Sequence, residues 1–159
     1  MPKDTREPQE ILAHVISSRV ALTSAIYGLS EAELTREDVT EKWSVKDLMA
    51  HMGRWEEICY EELQTHLQGE RSDKDYRNPQ PFNDEWEAEL RKLTLEQAVT
   101  LFETAHYRLF ALLASLRPEQ WNGYVRAWVA GSTWHHFEEH GEQIRTWRSR
   151  LQETVKEQA

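Results

Sequence analysis

The chain has 159 residues and a formal net charge of −9 at pH 7, a length that fits one domain spanning residues 1–159. With 39% hydrophobic and 30% charged residues, the composition is that of a globular protein, and the acidic charge argues against nucleic acid as a partner. The apolar runs are too short to cross a membrane, and the polar N-terminus shows no signal peptide. A lone cysteine, Cys59, leaves no internal disulfide. These features together predict a cytoplasmic protein.

The hydrophobic pattern predicts four main helices, over residues 8–29, 44–69, 94–116 and from about 132 to 151. The second and third open on the cap sequences SVKD and TLEQ, in which the first side chain can accept a hydrogen bond from the third backbone amide of the helix. No segment shows the alternation of a half-buried strand. The sequence therefore predicts an all-α protein, a four-helix bundle.

Two connections between these helices contain notable sequence features. Residues 71–83 are polar and contain Pro79 and Pro81, which predicts a long loop between the second and third helices, followed by a short helix in the stretch FNDEWEAELRKL. Residues 117–131 carry two tryptophans and are predicted to be a connector before the last helix.

The last helix contains the most distinctive polar residues of the chain. Six positions spaced alternately four and three residues apart predict the face that packs in the bundle core: Thr133, Phe137, His140, Ile144, Trp147 and Leu151. His140 therefore points inward. His136 precedes it by one turn, and two imidazoles at this spacing are able to bind one metal ion.

A third ligand must come from another helix. His51 lies on the inward side of the second helix, between Leu48 and Trp55. Three neutral imidazoles with an open coordination position are typical of a reactive divalent metal site. The alternative is that these histidines are hydrogen-bonded core residues, because helices often contain the HxxxH spacing by chance.

Several further side chains are candidates for the surroundings of this site. Gln143 or Glu139 is placed to orient an imidazole, and His106 is either a neighbour of the site or a packing residue. Arg19, in an otherwise apolar stretch, either binds an anionic substrate or extends its charge to water along the bundle edge. Three tryptophans are expected to form an apolar pocket wall near the same bundle end: Trp43, Trp55 and Trp134.

The segments GLSEAELT, WSVKDLMAHMGRWEE and HHFEEHGEQI resemble the DinB/YfiT-like superfamily, and most of all its ClbS/DfsB branch. The resemblance implies an up-down-down-up bundle, commonly a homodimer, with a long connection between helices 2 and 3. It also implies a divalent metal, often nickel or zinc, bound by the residues that match its motif: His51, His136 and His140. An RGQI-like sequence common after the second histidine is GEQI here, without the arginine.

The resemblance implies several activities, namely metal-dependent transfer of small thiols, isomerisation with a thiol cofactor, and hydrolysis of a reactive genotoxic small molecule. The first hypothesis is therefore an enzyme that activates water or a small thiol at the three histidines for attack on a small electrophile. The second is a protein that binds and sequesters a small molecule in a tryptophan-rich pocket without turnover. The third is a protein whose histidines only stabilise the core.

Overall fold

The computed structural model describes residues 3–158, which form seven α-helices, one turn of 3₁₀-helix at Pro118–Gln120 and no β-strand. The helices are α1 (Pro8–Ile26), α2 (Glu31–Leu34), α3 (Val45–Leu67), α4 (Gln80–Arg91), α5 (Leu95–Ser115), α6 (Gly123–Ser132) and α7 (Trp134–Gln158). None of these helices is long and apolar enough to span a membrane.

The four long helices, α1, α3, α5 and α7, form a bundle with apolar clusters toward its two ends. One cluster joins the start of α1 and α7 to the later parts of α3 and α5, through Ile11, Trp134, Leu63 and Leu113. The other joins later parts of α1 and α7 to the start of α3, through Leu22, Ile144 and Leu48. Helices α1 and α7 therefore run in one direction and α3 and α5 in the other, which is the predicted up-down-down-up arrangement.

Capping boxes fix the starts of α3 and α5 as predicted. The Ser44 side chain accepts a hydrogen bond from the Asp47 amide at 3.1 Å, and Asp47 accepts one from the Ser44 amide at 3.0 Å. Thr94 and Gln97 make the same pair of bonds before α5. Each box satisfies amides that a helix start otherwise leaves without partners, so the start of α3, from which His51 projects, is well defined.

Because α3 and α5 are parallel, the chain must return along the bundle between them. Residues 68–94 make this return, and α4 lies within it. Helix α4 packs on α3 through Trp86, which lies 5.2 Å from Trp55 between ring centroids. The long predicted connection therefore adds an outer layer against α3, next to the side that carries His51.

Helices α3 and α5 approach closely at Gly53. A Cβ atom built at this position would lie 3.0 Å from the Leu101 side chain and 3.1 Å from the backbone of Phe102. Such distances are tighter than most contacts of real Cβ atoms, so a side chain here would push the neighbouring backbone away, and glycine lets the two backbones come together. This contact holds α3 in place two residues after His51.

The prediction of a connector over residues 117–131 was wrong, because this segment contains α6. Asn122 caps the helix by accepting a hydrogen bond from the Val125 amide at 3.1 Å, and Val125 and Val129 are fully buried. The helix breaks at Thr133, whose φ of −116° and ψ of −99° are not helical, and α7 begins at the next residue. Helix α7 also continues to Gln158, beyond the predicted end near 151.

Candidate metal site and its cavity

Three histidines from two helices meet between α3 and α7. One ring nitrogen from each of His51, His136 and His140 can be chosen so that all three lie within 4.8 Å of one another. The Nε2 atoms of His51 and His136 are 2.8 Å apart, a separation that requires a proton between them. The structure thus brings together the three residues that the sequence singled out.

The geometry of α7 places two of these rings side by side. His136 and His140 are separated by one helical turn, and their ring centroids lie 4.6 Å apart. His51 faces them from α3, with its centroid 4.7 Å from that of His136 and 5.2 Å from that of His140. Trp43 packs edge-on against His51 at 4.9 Å and so restricts its ring.

Gln143 orients His140 as expected for an outer neighbour of the site. The Nδ1–H of His140 donates to Gln143 Oε1 at 2.6 Å, which leaves the lone pair on Nε2. That Nε2 atom is buried and has no hydrogen-bond partner among residues 3–158. A buried acceptor without a partner is unfavourable unless a ligand binds to its lone pair. Here the atom belongs to the three-histidine cluster.

Burial keeps the three imidazoles neutral. It lowers the pKa of His51 to about 3, with a smaller contribution from the nearby His140. Burial is also the main cause that lowers the pKa of His136 well below its usual value and lowers the pKa of His140. Neutral imidazoles carry the lone pairs that bind a metal, and a set of three nitrogens suits zinc or nickel. The donor set therefore fits a divalent transition metal.

A large open cavity of about 1640 Å³ leads to these histidines. Its walls come from α3, residues 70–79, α4 and α6, and five of its lining residues are large aromatics: Trp43, Trp55, Tyr76, Tyr124 and Trp128. The indole N–H groups on the site side are satisfied, since Trp43 donates to Glu87 at 3.1 Å and Trp55 donates to Asn83 at 2.8 Å. Their apolar faces remain available to a ligand.

Trp134 does not line this cavity, contrary to the prediction. It is two residues from His136, so its side chain leaves α7 on a different side of the helix. There it stacks on His14 at 4.9 Å and lies beneath the guanidinium of Arg6, in the other apolar cluster of the bundle. The prediction used the closeness of Trp134 to His136 along the chain and did not consider the direction in which the Trp134 side chain leaves the helix.

His106 and Arg19 belong to a separate buried network. His106 Nδ1 lies 2.7 Å from Glu56 Oε2, and Arg19 donates to Glu56 Oε1 at 3.3 Å and to the carbonyl of Phe102 at 3.0 Å. His106 therefore contacts Glu56 and not the three-histidine cluster. Arg19 is only 7% exposed, so the prediction that its charge reaches water along the bundle edge was wrong.

Glu56 was missed in the sequence, although a signal for it existed. It lies four residues after the buried Met52 and three before the buried Cys59, on the inward face of α3, and it is fully buried. A carboxylate at such a position calls for a buried cation, and Arg19 is the inward-facing arginine of α1. Tyr76 and Trp128 of the cavity wall carried no comparable pattern.

The fold and the histidine cluster define a DinB-like helical-bundle protein with a candidate metal site. The chain belongs to the mycothiol maleylpyruvate isomerase N-terminal domain family, whose model matches residues 7–155. It shares its fold with a solved structure described as the sibling lethal factor precursor DfsB, with a TM-score of 0.75 at 13% identity, covering 93% of this chain and 98% of that one. No curated protein sequence matches the chain.

Proposed function

We propose that this protein is a metal-dependent enzyme that activates water or a small thiol for attack on a small electrophilic compound. The observation that carries this proposal is the convergence of three histidine nitrogens within 4.8 Å, next to a large cavity. Membership of a family named for a mycothiol-dependent isomerase supports a thiol as one of the two nucleophiles. The products would be those of hydrolysis or of thiol transfer.

The residues of the site have distinct roles in this proposal. His51, His136 and His140 would hold Ni²⁺ or Zn²⁺, which supplies a Lewis acid that lowers the pKa of water or a thiol. Gln143 fixes the ring and the tautomer of His140 through its 2.6 Å hydrogen bond. Trp43 and Trp55 exclude water from one wall and provide apolar contact for the electrophile.

The resemblance of the motifs also supports a homodimer, and the single Cys59 supports a reducing, cytoplasmic location; we include both in the proposal. Ile16 and Val20 of α1 are 50% and 59% exposed. They lie one turn apart on the same helix face, so they provide apolar surface that a second copy would cover.

Sequestration without turnover is the second candidate function. It is favoured by the volume of the cavity and by the five large aromatic side chains that line it, which can hold an apolar compound without any metal. In that case the histidines would serve as hydrogen-bonding partners of the ligand.

An epoxide assay separates the two functions. Metal-loaded protein is mixed with styrene oxide, with and without N-acetylcysteine, and consumption of the epoxide is followed. In the enzyme-catalysed reaction, the oxygen of water or the sulfur of the thiol bonds to an epoxide carbon, and the C–O bond of that carbon breaks. The epoxide oxygen then gains the proton that the nucleophile loses. We expect at least about a 100-fold acceleration over buffer, abolished by a chelator and by His136→Ala/His140→Ala.

His135→Ala is the matched control for this assay, because His135 is exposed on the same helix and outside the cluster. Wild-type activity in this variant would show that the loss is specific to the site. Tight binding of unchanged styrene oxide that survives the chelator would instead support sequestration and contradict the enzyme.

A further inference from the structure

A second polar feature of the cavity lies far from the histidines. Glu62 is on α3, eleven residues after His51, which places it about 16 Å further along the helix axis at about 1.5 Å per residue. Glu62 is only 8% exposed, yet it lines the same cavity. Its carboxylate accepts hydrogen bonds from the Ser72 hydroxyl at 2.8 Å and from the Tyr124 hydroxyl at 3.4 Å.

Glu62 forms no salt bridge within residues 3–158, and these two hydroxyl groups are the only hydrogen-bond donors to its side chain there. Arg71 and Lys74 also line the cavity but do not pair with it. Glu56, the other deeply buried glutamate of α3, is by contrast paired with Arg19. A buried carboxylate without a counter-ion is unfavourable, and a cation that enters the cavity would relieve this.

Aromatic rings surround this end of the cavity. Tyr124 bonds to Glu62 directly, and Tyr76 and Trp128 line the same cavity with their ring centroids 5.5 Å apart and nearly perpendicular. Burial is the main cause that raises the pKa of Tyr76, and the negative charges of Glu62 and then of Glu61 add to the rise, so Tyr76 lies near this part of α3. A carboxylate flanked by aromatic rings is the arrangement that proteins use to bind ammonium groups.

We propose that Glu62, Tyr76, Tyr124 and Trp128 form a second subsite that binds an ammonium group of the substrate. Under the proposed function, on which this part of the inference rests, the electrophilic centre of the same molecule lies at the histidines. The substrate class is therefore an elongated molecule with a cationic amine at one end and an electrophile at the other, long enough to reach between two positions about 16 Å apart along α3. Its middle part lies along Trp55 and α6.

Octylammonium and octanol are the probes for this subsite, because they share one apolar chain and differ in charge. Their binding to metal-free protein is measured by calorimetry. We expect octylammonium to bind wild-type protein at least about tenfold more tightly than octanol. Glu62→Gln, which keeps an acceptor for Ser72 and Tyr124, is expected to remove this preference.

Glu61→Gln is the matched control, since Glu61 is exposed, precedes Glu62 and does not line the cavity, while the change in net charge is the same. It is expected to keep the preference. Equal affinity of the two probes for wild-type protein would overturn the inference, and this comparison needs no variant. An equal loss of preference in both variants would also overturn it, because the effect would then come from net charge alone.

The double variant His136→Ala/His140→Ala separates this inference from the proposed function. We expect it to keep the preference for octylammonium, because Glu62 lies about 16 Å from His51 along α3. Loss of the preference in this variant would contradict a separate subsite. A wild-type protein that binds no metal but prefers octylammonium would contradict the proposed metal-dependent enzyme and still support the ammonium subsite.

Discussion

Replacing both His136 and His140 with alanine is expected to lower the affinity for Ni²⁺ or Zn²⁺ by more than about 100-fold. Loss of a residue that merely orients a ligand costs about 10- to 100-fold, so loss of two direct ligands should exceed that range. His51 alone would remain, and a single imidazole does not hold a divalent ion tightly. Calorimetric titration of the untagged protein with each metal measures the difference.

His135→Ala provides the control for this titration. His135 lies next to His136 on α7, but it is exposed and outside the cluster. The variant should therefore bind metal with wild-type affinity. If the double variant and wild-type protein bind the metal equally well, and both are folded by circular dichroism, the histidines are not the ligands.

Arg19→Met is expected to lower the free energy of unfolding by about 3–5 kcal/mol near neutral pH. The change leaves the fully buried Glu56 without its arginine, while the methionine still fills most of the space. Arg36→Met is the matched control, because Arg36 pairs with Asp38 at 2.9 Å on the exposed surface. There we expect a loss below about 1 kcal/mol. Urea unfolding of both variants measures the two losses.

The loss in Arg19→Met should become smaller as the pH falls. Burial is the largest effect on Glu56 and raises the pKa of its carboxyl, while His106 and Arg19 act in the opposite direction and Glu103 adds to the rise. A group whose pKa is raised by folding contributes stability below its unfolded pKa and loses that contribution as the pH rises through its folded pKa. Without Arg19, the Glu56 carboxylate has only His106 as a partner, and protonation of Glu56 at lower pH removes this poorly compensated charge.

Urea unfolding at about pH 8 and about pH 5.5 tests this dependence. The quantity compared is the difference in the free energy of unfolding between wild-type protein and Arg19→Met at each pH. We expect a smaller difference at the lower pH. The double variant Arg19→Met/Glu56→Leu should recover most of the lost stability at both pH values, because it removes both charges together. A difference that does not depend on pH, or no recovery in the double variant, would show that the pair is not the cause.

The parts of the fold that depend on local sequence were predictable. The cap sequences SVKD and TLEQ form the hydrogen bonds expected of them, so the starts of α3 and α5 were predicted correctly. Helix α6 was missed because it is short, begins at one glycine and contains another, Gly131, and only Val125 and Val129 among its apolar residues are buried. Two positions do not make a convincing periodic pattern.

The candidate site was only partly predictable from the sequence, because it combines residues of one helix with residues of other elements. The relation of His136 to His140 follows from helix geometry alone, whereas the position of His51 opposite them depends on how α3 packs against α7. Glu62 could not be assigned to a cavity from sequence, because its neighbours Ser72 and Tyr124 come from a loop and from the helix that was not predicted. Such contacts depend on the path of the chain between elements.

A diffraction experiment at the zinc absorption edge locates bound metal without relying on activity, with crystals of the untagged protein soaked in Zn²⁺. We expect one strong anomalous peak enclosed by ring nitrogens of His51, His136 and His140. A peak elsewhere would contradict this expectation. So would a map without a peak at saturating zinc, in which the Nε2 atoms of His51 and His136 still share a hydrogen bond.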